Sequence, residues 1–253
     1  MHKSQSYLVD YIYRENLSAN AVSSHTLSEI EARILQLNLR EDACDYLYSA
    51  TVSLGDALCG LTRGLFTWAT VKLYYSVFYT IRARLALKGF CIFYIKTNPY
   101  SIYSAASQQA QKEKGQTHKV VIKLFERKRI DDFMLSQPIE LEDPVNWLMK
   151  RREDANYKIA RFTEPCIPKH FIKLVDFGVR ESCQAYLSDK SGRYMFDPDH
   201  AMVAYPISLI DRAFSEFHNE NLSVQNNDSI SFLNGVFSDK KGPFSSLLQV
   251  FLK

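Results

Sequence analysis

VKLYYSVFYTIRARLALKG, residues 71–89, decides the fold. Val71, Tyr74, Phe78, Ile81 and Leu85 recur at steps of three and four, which sets them on one face of an α-helix, while Lys72, Ser76, Thr80, Arg84 and Lys88 fall on another. Gly89 closes the run. The same period continues on both sides. Residues 41–58 read as a second helix, with Gly60 and Gly64 marking the break after it, and shorter helical candidates run over 7–14 and 27–37. Residues 90–103 are aromatic and β-branched with Pro99 inside, and read as a connection or an insertion. Thr117 is a candidate cap for a helix through Phe125, and Asp143 followed by Pro144 suits the start of a helix running to about Phe162.

Further helical patterns cover 170–187, 207–217, 229–237 and 245–252, and 219–228 is the most loop-like stretch. The expectation is an all-α protein: a bundle over 41–163, an N-terminal helical extension over 1–40, and a C-terminal extension over 164–253 that packs on the bundle or on a partner. Composition agrees with that class. In 253 residues, 46% are apolar and only 23% charged, enough to bury a substantial core. Nine glycines and eight prolines are too few for a many-turned all-β chain.

The five cysteines, Cys44, Cys59, Cys91, Cys166 and Cys183, are odd in number and form no C-x-x-C pair, so neither a disulfide framework nor a zinc ribbon is expected. A reducing cytoplasm fits them best. The first residues lack a continuous apolar run, and the richest apolar stretch, 65–87, is interrupted by Lys72, Arg82 and Arg84, so no signal peptide and no membrane span are expected. Walker, Rossmann and Ser-His-Asp patterns are missing, and no cofactor or metal is expected.

The net charge of +3 is small, but its distribution is uneven. Between 111 and 130 stand seven cations, Lys112, Lys114, Lys119, Lys123, Arg127, Lys128 and Arg129, against Glu113 and Glu126. Such a surplus suits a phosphate backbone, RNA or DNA. It equally suits a solvated helix face ahead of a turn, since Asp131 and Asp132 follow at once.

RREDANYK, residues 151–158, places charge where the helical pattern asks for core. Val145, Leu148, Arg152, Ala155, Ile159 and Phe162 again step by three and four, so Arg152 occupies the apolar stripe. A buried guanidinium needs a partner, and losing one costs about 3–5 kcal/mol. Two readings stay open: an internal ion pair with a carboxylate on a facing helix, or a polar site shared between helices or subunits.

YYSVFYTIRARLALKG (74–89), THKVVIKLF (117–125) and RREDANYK (151–158), in that order, resemble the HEPN superfamily of helical nucleotide-binding domains. The likeness is to its small prokaryotic branch, in which a tyrosine-rich helix precedes a Thr-His segment and an Arg-x-x-Ala-x-Tyr ending, and it covers about 41–163. The resemblance implies a bundle of four or five helices that pairs into a homodimer, with roles in toxin–antitoxin systems and anti-phage defence complexes. The family's active ribonucleases are metal-independent and carry an arginine followed, after four to six residues, by a histidine at the dimer cleft. Arg152 matches that arginine, and Arg151 less well; Tyr157 stands where the histidine is due.

That departure bears on the chemistry. Cleaving RNA without metal needs an acceptor for the 2′-hydroxyl proton, and a histidine near pKa ~6.5 serves at neutral pH where a tyrosine near ~10 does not. His118 is a candidate base from a neighbouring helix. Alternatively, Asp154 and Tyr157 form a network with Arg151 or Arg152 that orients the bundle or its dimer partner. Two further Arg/His pairs, Arg212 with His218 and Arg193 with His200, fall outside the segment that resembles the family. Asp197, Asp199 and His200 can be drawn as metal ligands, but a D-P-D-H turn is more often an Asx turn. The functional expectation is an interaction subunit of a prokaryotic defence or toxin–antitoxin system, associated with nucleic acid and not itself catalytic; the alternatives are a metal-independent endoribonuclease and a non-cleaving nucleic-acid or nucleotide binder.

Overall fold

A computed structural model of the chain describes residues 2–14, 18–158, 160–223, 227–239 and 243–252. Ile159 of the expected apolar stripe, and 224–226 of the loop-like stretch, lie outside the described residues. The chain is mainly helical and carries one three-stranded sheet. In order, its elements are α1 (Lys3–Ser6) running into a π-turn (Tyr7–Ile12), α2 (Ala19–Ser24), α3 (Glu29–Leu61), α4 (Phe66–Leu87), β1 (Phe90–Ile95), β2 (Asn98–Tyr103), β3 (Gln111–Lys112) and α5 (Thr117–Arg127). There follow α6 (Pro144–Glu153) with a π-turn (Asp154–Lys158), α7 (Ile172–Phe177), α8 (Val179–Ser188), α9 (Ala201–Asn219), α10 (Asn227–Val236) and α11 (Pro243–Phe251). The chain divides into two compact units, Met1–Tyr46 with Ile81–Ile130, and Leu47–Thr80 with Asp131–Lys253, so α3 and α4 each give one part to each unit.

Where two helices were expected over 27–37 and 41–58, α3 is continuous. Asn38-Leu39-Arg40 contains no breaker, and Leu35, Leu39, Ala43, Leu47, Ala50, Leu54 and Leu61 carry one buried stripe through the junction. Ser28 and Glu31 close its start reciprocally: the Ser28 N–H donates to Glu31 Oε2 (2.8 Å) and the Glu31 N–H to Ser28 Oγ (3.3 Å). The expected helix over 71–87 is present but is buried on more than its apolar face. Ser76, Thr80 and Arg84 are at most 1% exposed. The two hydroxyls are tolerated there because Ser76 Oγ and Thr80 Oγ1 donate to the carbonyls of Leu73 and Ser76 in the same helix (both 2.7 Å).

In the first unit, Asp42 on α3 accepts from the N–H groups of Lys3 (2.8 Å) and Ser4 (2.9 Å) and from the Ser4 hydroxyl (2.5 Å), tying down the first turn of the chain. The sheet corrects the all-α expectation. β1 and β2 pair antiparallel with Ile95 opposite Asn98, leaving only Lys96 and Thr97 for the turn. Alternate residues of β1, Cys91, Phe93 and Ile95, face inward, and Tyr13 and Tyr100 stack on the Phe93 ring at 5.3 and 5.6 Å. Pro99 is accommodated opposite Tyr94, and its carbonyl accepts from the Glu113 N–H. Thr117 does not cap α5: Gln116 holds that position without a side-chain bond, and Thr117 Oγ1 instead accepts from the Tyr94 hydroxyl (2.9 Å).

In the second unit, the Asp143–Pro144 start of α6 is as expected, with Asp143 Oδ1 accepting from the N–H groups of Val145 (3.0 Å) and Asn146 (3.3 Å). Its end is not. The α-helix stops at Glu153 and widens into the π-turn, and Phe162, beyond it, meets Trp68 edge-on at 5.8 Å. The expected helix over 170–187 is broken by Gly178, whose φ of 102° is open to glycine and strained for other residues. The C-terminal elements pack on the Leu47–Thr80 portion: the Phe237 ring lies where a Cβ on Gly55 would sit, 2.5 Å away, and Phe214 of α9 stacks on Phe251 of α11 at 5.5 Å. No described helix is long and apolar enough to cross a membrane.

Candidate functional site

The last turn of α6 is basic, Lys150, Arg151 and Arg152, a placement that favours cations because the helix carbonyls point that way. What separates the three is where each goes. Lys150 pairs with Glu142 at 2.5 Å on the surface. Arg151 pairs with Glu140 (2.5 Å), lies 3.9 Å from Asp154 and covers the Trp147 ring at 4.6 Å; Asp154 in turn holds Lys158 at 2.6 Å. Of the expected Asp154 and Tyr157 network, Asp154 lies near Arg151 but is paired with Lys158, Tyr157 meets Arg152 only through its ring, and Glu140 is the carboxylate bonded to Arg151.

Glu140 also accepts from the Trp147 indole N–H (2.9 Å), and that bond, together with Arg151, holds its carboxyl below the usual range. The same corner contains His170. Its ring lies against Phe171 at 4.4 Å and Trp147 at 6.4 Å, and its Nε2 is 3.4 Å from Thr70 Oγ1. Because the Thr70 hydroxyl proton goes to the Phe66 carbonyl (2.9 Å), the hydrogen-bond network assigns the imidazole proton to Nε2. Burial first, and then the Arg151 guanidinium, push His170 down to about 4, so the ring is neutral at pH 7.

Arg152 alone turns inward, with 8% of its surface exposed. No carboxylate is bound to it among the described residues, which corrects the expected ion pair. Its Nη2 donates to the Tyr75 hydroxyl (2.9 Å), and its guanidinium carbon lies 5.5, 5.4 and 5.3 Å from the ring centres of Tyr74, Tyr75 and Tyr157. Three electron-rich ring faces replace the missing anion. Nε is buried without a partner, an arrangement that costs about 1–3 kcal/mol. Arg152 and Tyr157, paired in the sequence reading, are thus brought together, and Tyr74 and Tyr75 of α4 complete the enclosure. Burial raises the Tyr74 phenol above its ordinary value against the lowering effect of Arg152, so it keeps its proton at neutral pH.

His118 lies on α5 in the first unit, whereas Arg152 belongs to the second. The seven cations also belong to the first unit, and all are exposed. Lys119, Lys123 and Arg127 are spaced four apart along one face of α5. Arg127 is held by Glu113 (2.5 Å), which also accepts from the Ser101 hydroxyl (2.6 Å), and Lys128 sits 4.9 Å over the Phe90 ring. Arg129, in left-handed backbone (φ 48°), begins the turn. Lys112, Lys114, Lys119 and Lys123 have no ion pair among the described residues.

Of the two other Arg/His pairs, Arg212 and His218 do not assemble. Arg212 is committed to Asp131 through two bonds (2.7 and 3.1 Å), and His218 packs on Phe214 at 6.3 Å. Asp197 Oδ1 accepts from the Asp199 N–H (3.0 Å), the Asx turn that the spacing suggested, and no cluster of metal-ligating side chains occurs among the described residues. No protein-family model matches the chain, and no curated protein and no solved structure matches it.

Proposed function

We propose that this chain is a HEPN-like interaction or regulatory subunit of a prokaryotic anti-phage defence or toxin–antitoxin system, dimeric or held in a larger complex, that associates with nucleic acid and does not cut it. The system and the dimer come from the resemblance of 74–89, 117–125 and 151–158 to that superfamily. The absence of chemistry rests on one observation: the hydrogen-bond and ring partners of the Arg152 guanidinium among the described residues are the phenols Tyr74, Tyr75 and Tyr157. A guanidinium can stabilise a phosphorane, but it cannot take the 2′-hydroxyl proton, and a phenol near pKa ~10 cannot take it at neutral pH. The experiment is incubation of total RNA with the purified chain in EDTA, wild type beside Arg152→Ala, His118→Ala and Tyr157→Phe, with solution mass measured on the same samples. The expected result is no cleavage by any of them. Cleavage that survives EDTA and disappears with Arg152→Ala would establish instead the second reading, a metal-independent ribonuclease, which the unpartnered Nε of Arg152 favours.

Nucleic-acid association is supported by the row Lys119, Lys123 and Arg127 with Lys112 and Lys114 beside it in sequence, exposed cations suited to successive phosphates. Binding to single-stranded RNA is expected to weaken steeply with salt. Each lysine neutralised, in Lys119→Gln or Lys123→Gln, is expected to reduce the log–log salt slope by about 0.7. An affinity that is the same in low and high salt removes this part of the proposal.

A further inference from the structure

Away from Arg152, the second unit contains a cavity of about 440 Å³ bordered by α7, α8, the short helical turn Tyr194–Phe196 and the residue before α9. That volume lies within the range of small-molecule sites, about 300–1,000 Å³. Its lining is largely aromatic. Tyr186, Tyr194 and His200 meet edge to face with ring centres 5.0–5.8 Å apart, and Phe177 stands at the mouth, 63% exposed. An exposed phenylalanine next to an open aromatic hollow is apolar surface still available to a flat partner.

The polar groups are few and distinct. The Tyr186 hydroxyl lies 2.9 Å from His200 Nδ1. Burial raises the Tyr186 phenol and lowers the His200 imidazole, so both are neutral at pH 7 and share one hydrogen bond, while His200 Nε2 has no partner among the described residues. Lys173 is neutralised by Asp199 at 2.6 Å, while Asp176, also on the lining, is exposed with no partner among the described residues. The cavity therefore offers aromatic faces, the buried Ser182 hydroxyl, which lacks a hydrogen-bond partner among the described residues, the open Nε2 of His200 and one uncompensated negative charge.

We propose that this cavity binds a small planar aromatic molecule that carries a hydroxyl and a protonated amine, its ring against Phe177 and Tyr194, its hydroxyl hydrogen-bonded to His200 Nε2 and its ammonium at Asp176. Aromatic faces and a carboxylate both favour a cation, and nothing in the lining offers an anion an unpaired positive charge. The assignment is independent of the reading of Arg152.

The test is calorimetric titration of the full chain with three probes of one shape: 5-hydroxytryptamine, the neutral 5-hydroxytryptophol and the anionic 5-hydroxyindole-3-acetate. The amine is expected to bind at least about tenfold more tightly than either analogue. Asp176→Asn, a surface change, is expected to weaken the amine by about tenfold and leave the neutral probe as it was. Ala185→Phe, which fills the cavity, is expected to abolish binding of all three in folded protein. Equal binding of the three probes, an amine affinity untouched by Asp176→Asn, or no heat from folded wild type with about 1 mM amine would each overturn the proposal.

Discussion

Lowering the pH from 6.5 to about 4 is expected to remove up to about 3 kcal/mol of stability through His170 alone. The folded value lies below the unfolded one because burial, and then Arg151, disfavour the imidazolium. The unfolded chain therefore takes up the proton first. Stability contributed by the neutral ring is fully present above 6.5, falls by about 1.4 kcal/mol for each unit below it, and levels off under about 4. Glu140, bonded to Trp147 and Arg151, and Glu164, which accepts from the Thr67 N–H (2.7 Å) and hydroxyl (2.6 Å), are both held low and add their own acid loss, at lower pH. Urea unfolding at pH 7, 6, 5 and 4, with wild type beside His170→Gln, separates the two sources, since the carboxylates are common to both proteins. The wild-type curve is expected to fall more steeply between pH 6.5 and 4; parallel curves would mean that the imidazole is already solvated in the fold.

The corner that sets His170 was only partly legible in the sequence, and the division follows the range of each interaction. Asp143 and Pro144 act on N–H groups two and three residues away, and the spacing of Val71, Tyr74, Phe78, Ile81 and Leu85 is a property of one helix, so both could be read directly. The hairpin could not, because its two-residue turn is Lys96-Thr97, with Lys96 itself in left-handed backbone (φ 56°), and neither residue carries the asparagine or glycine signal of a tight turn. The continuity of α3 is a local property too: Leu35, Leu39 and Ala43 keep the helical step across Asn38-Leu39-Arg40, where no breaker stands. At the site, Arg152 was legible as an arginine on an apolar stripe that needed partners. The partners were not, since Tyr75 lies 77 positions away and one tyrosine of YYSVFY is indistinguishable from another before the helices pack. Glu140 gave no signal at all; it precedes α6 in left-handed backbone (φ 46°), and only tertiary structure turns it onto Trp147 and Arg151.

Replacing Arg152 by glutamate is expected to cost about 3–5 kcal/mol, while Arg152→Met is expected to stay within about 1 kcal/mol of wild type. The cation is desolvated, with one hydrogen bond and an unpartnered Nε, and that burden is offset by three ring faces worth about 0.5–2 kcal/mol each. Methionine removes both sides of the balance, fills much of the same volume and retains favourable contact with aromatic rings. Glutamate keeps the desolvation and reverses the charge, so the ring faces repel it, leaving the Tyr75 hydroxyl as the local donor. Chemical denaturation of the three proteins reads the difference directly. If methionine proves as damaging as glutamate, the guanidinium is a structural member of the α4–α6 packing, and its remaining N–H groups are not free to receive an anion. If methionine is tolerated, the fold does not require the charge, and a buried cation that stability does not require is one whose unsatisfied donor is left for a ligand or a partner to meet.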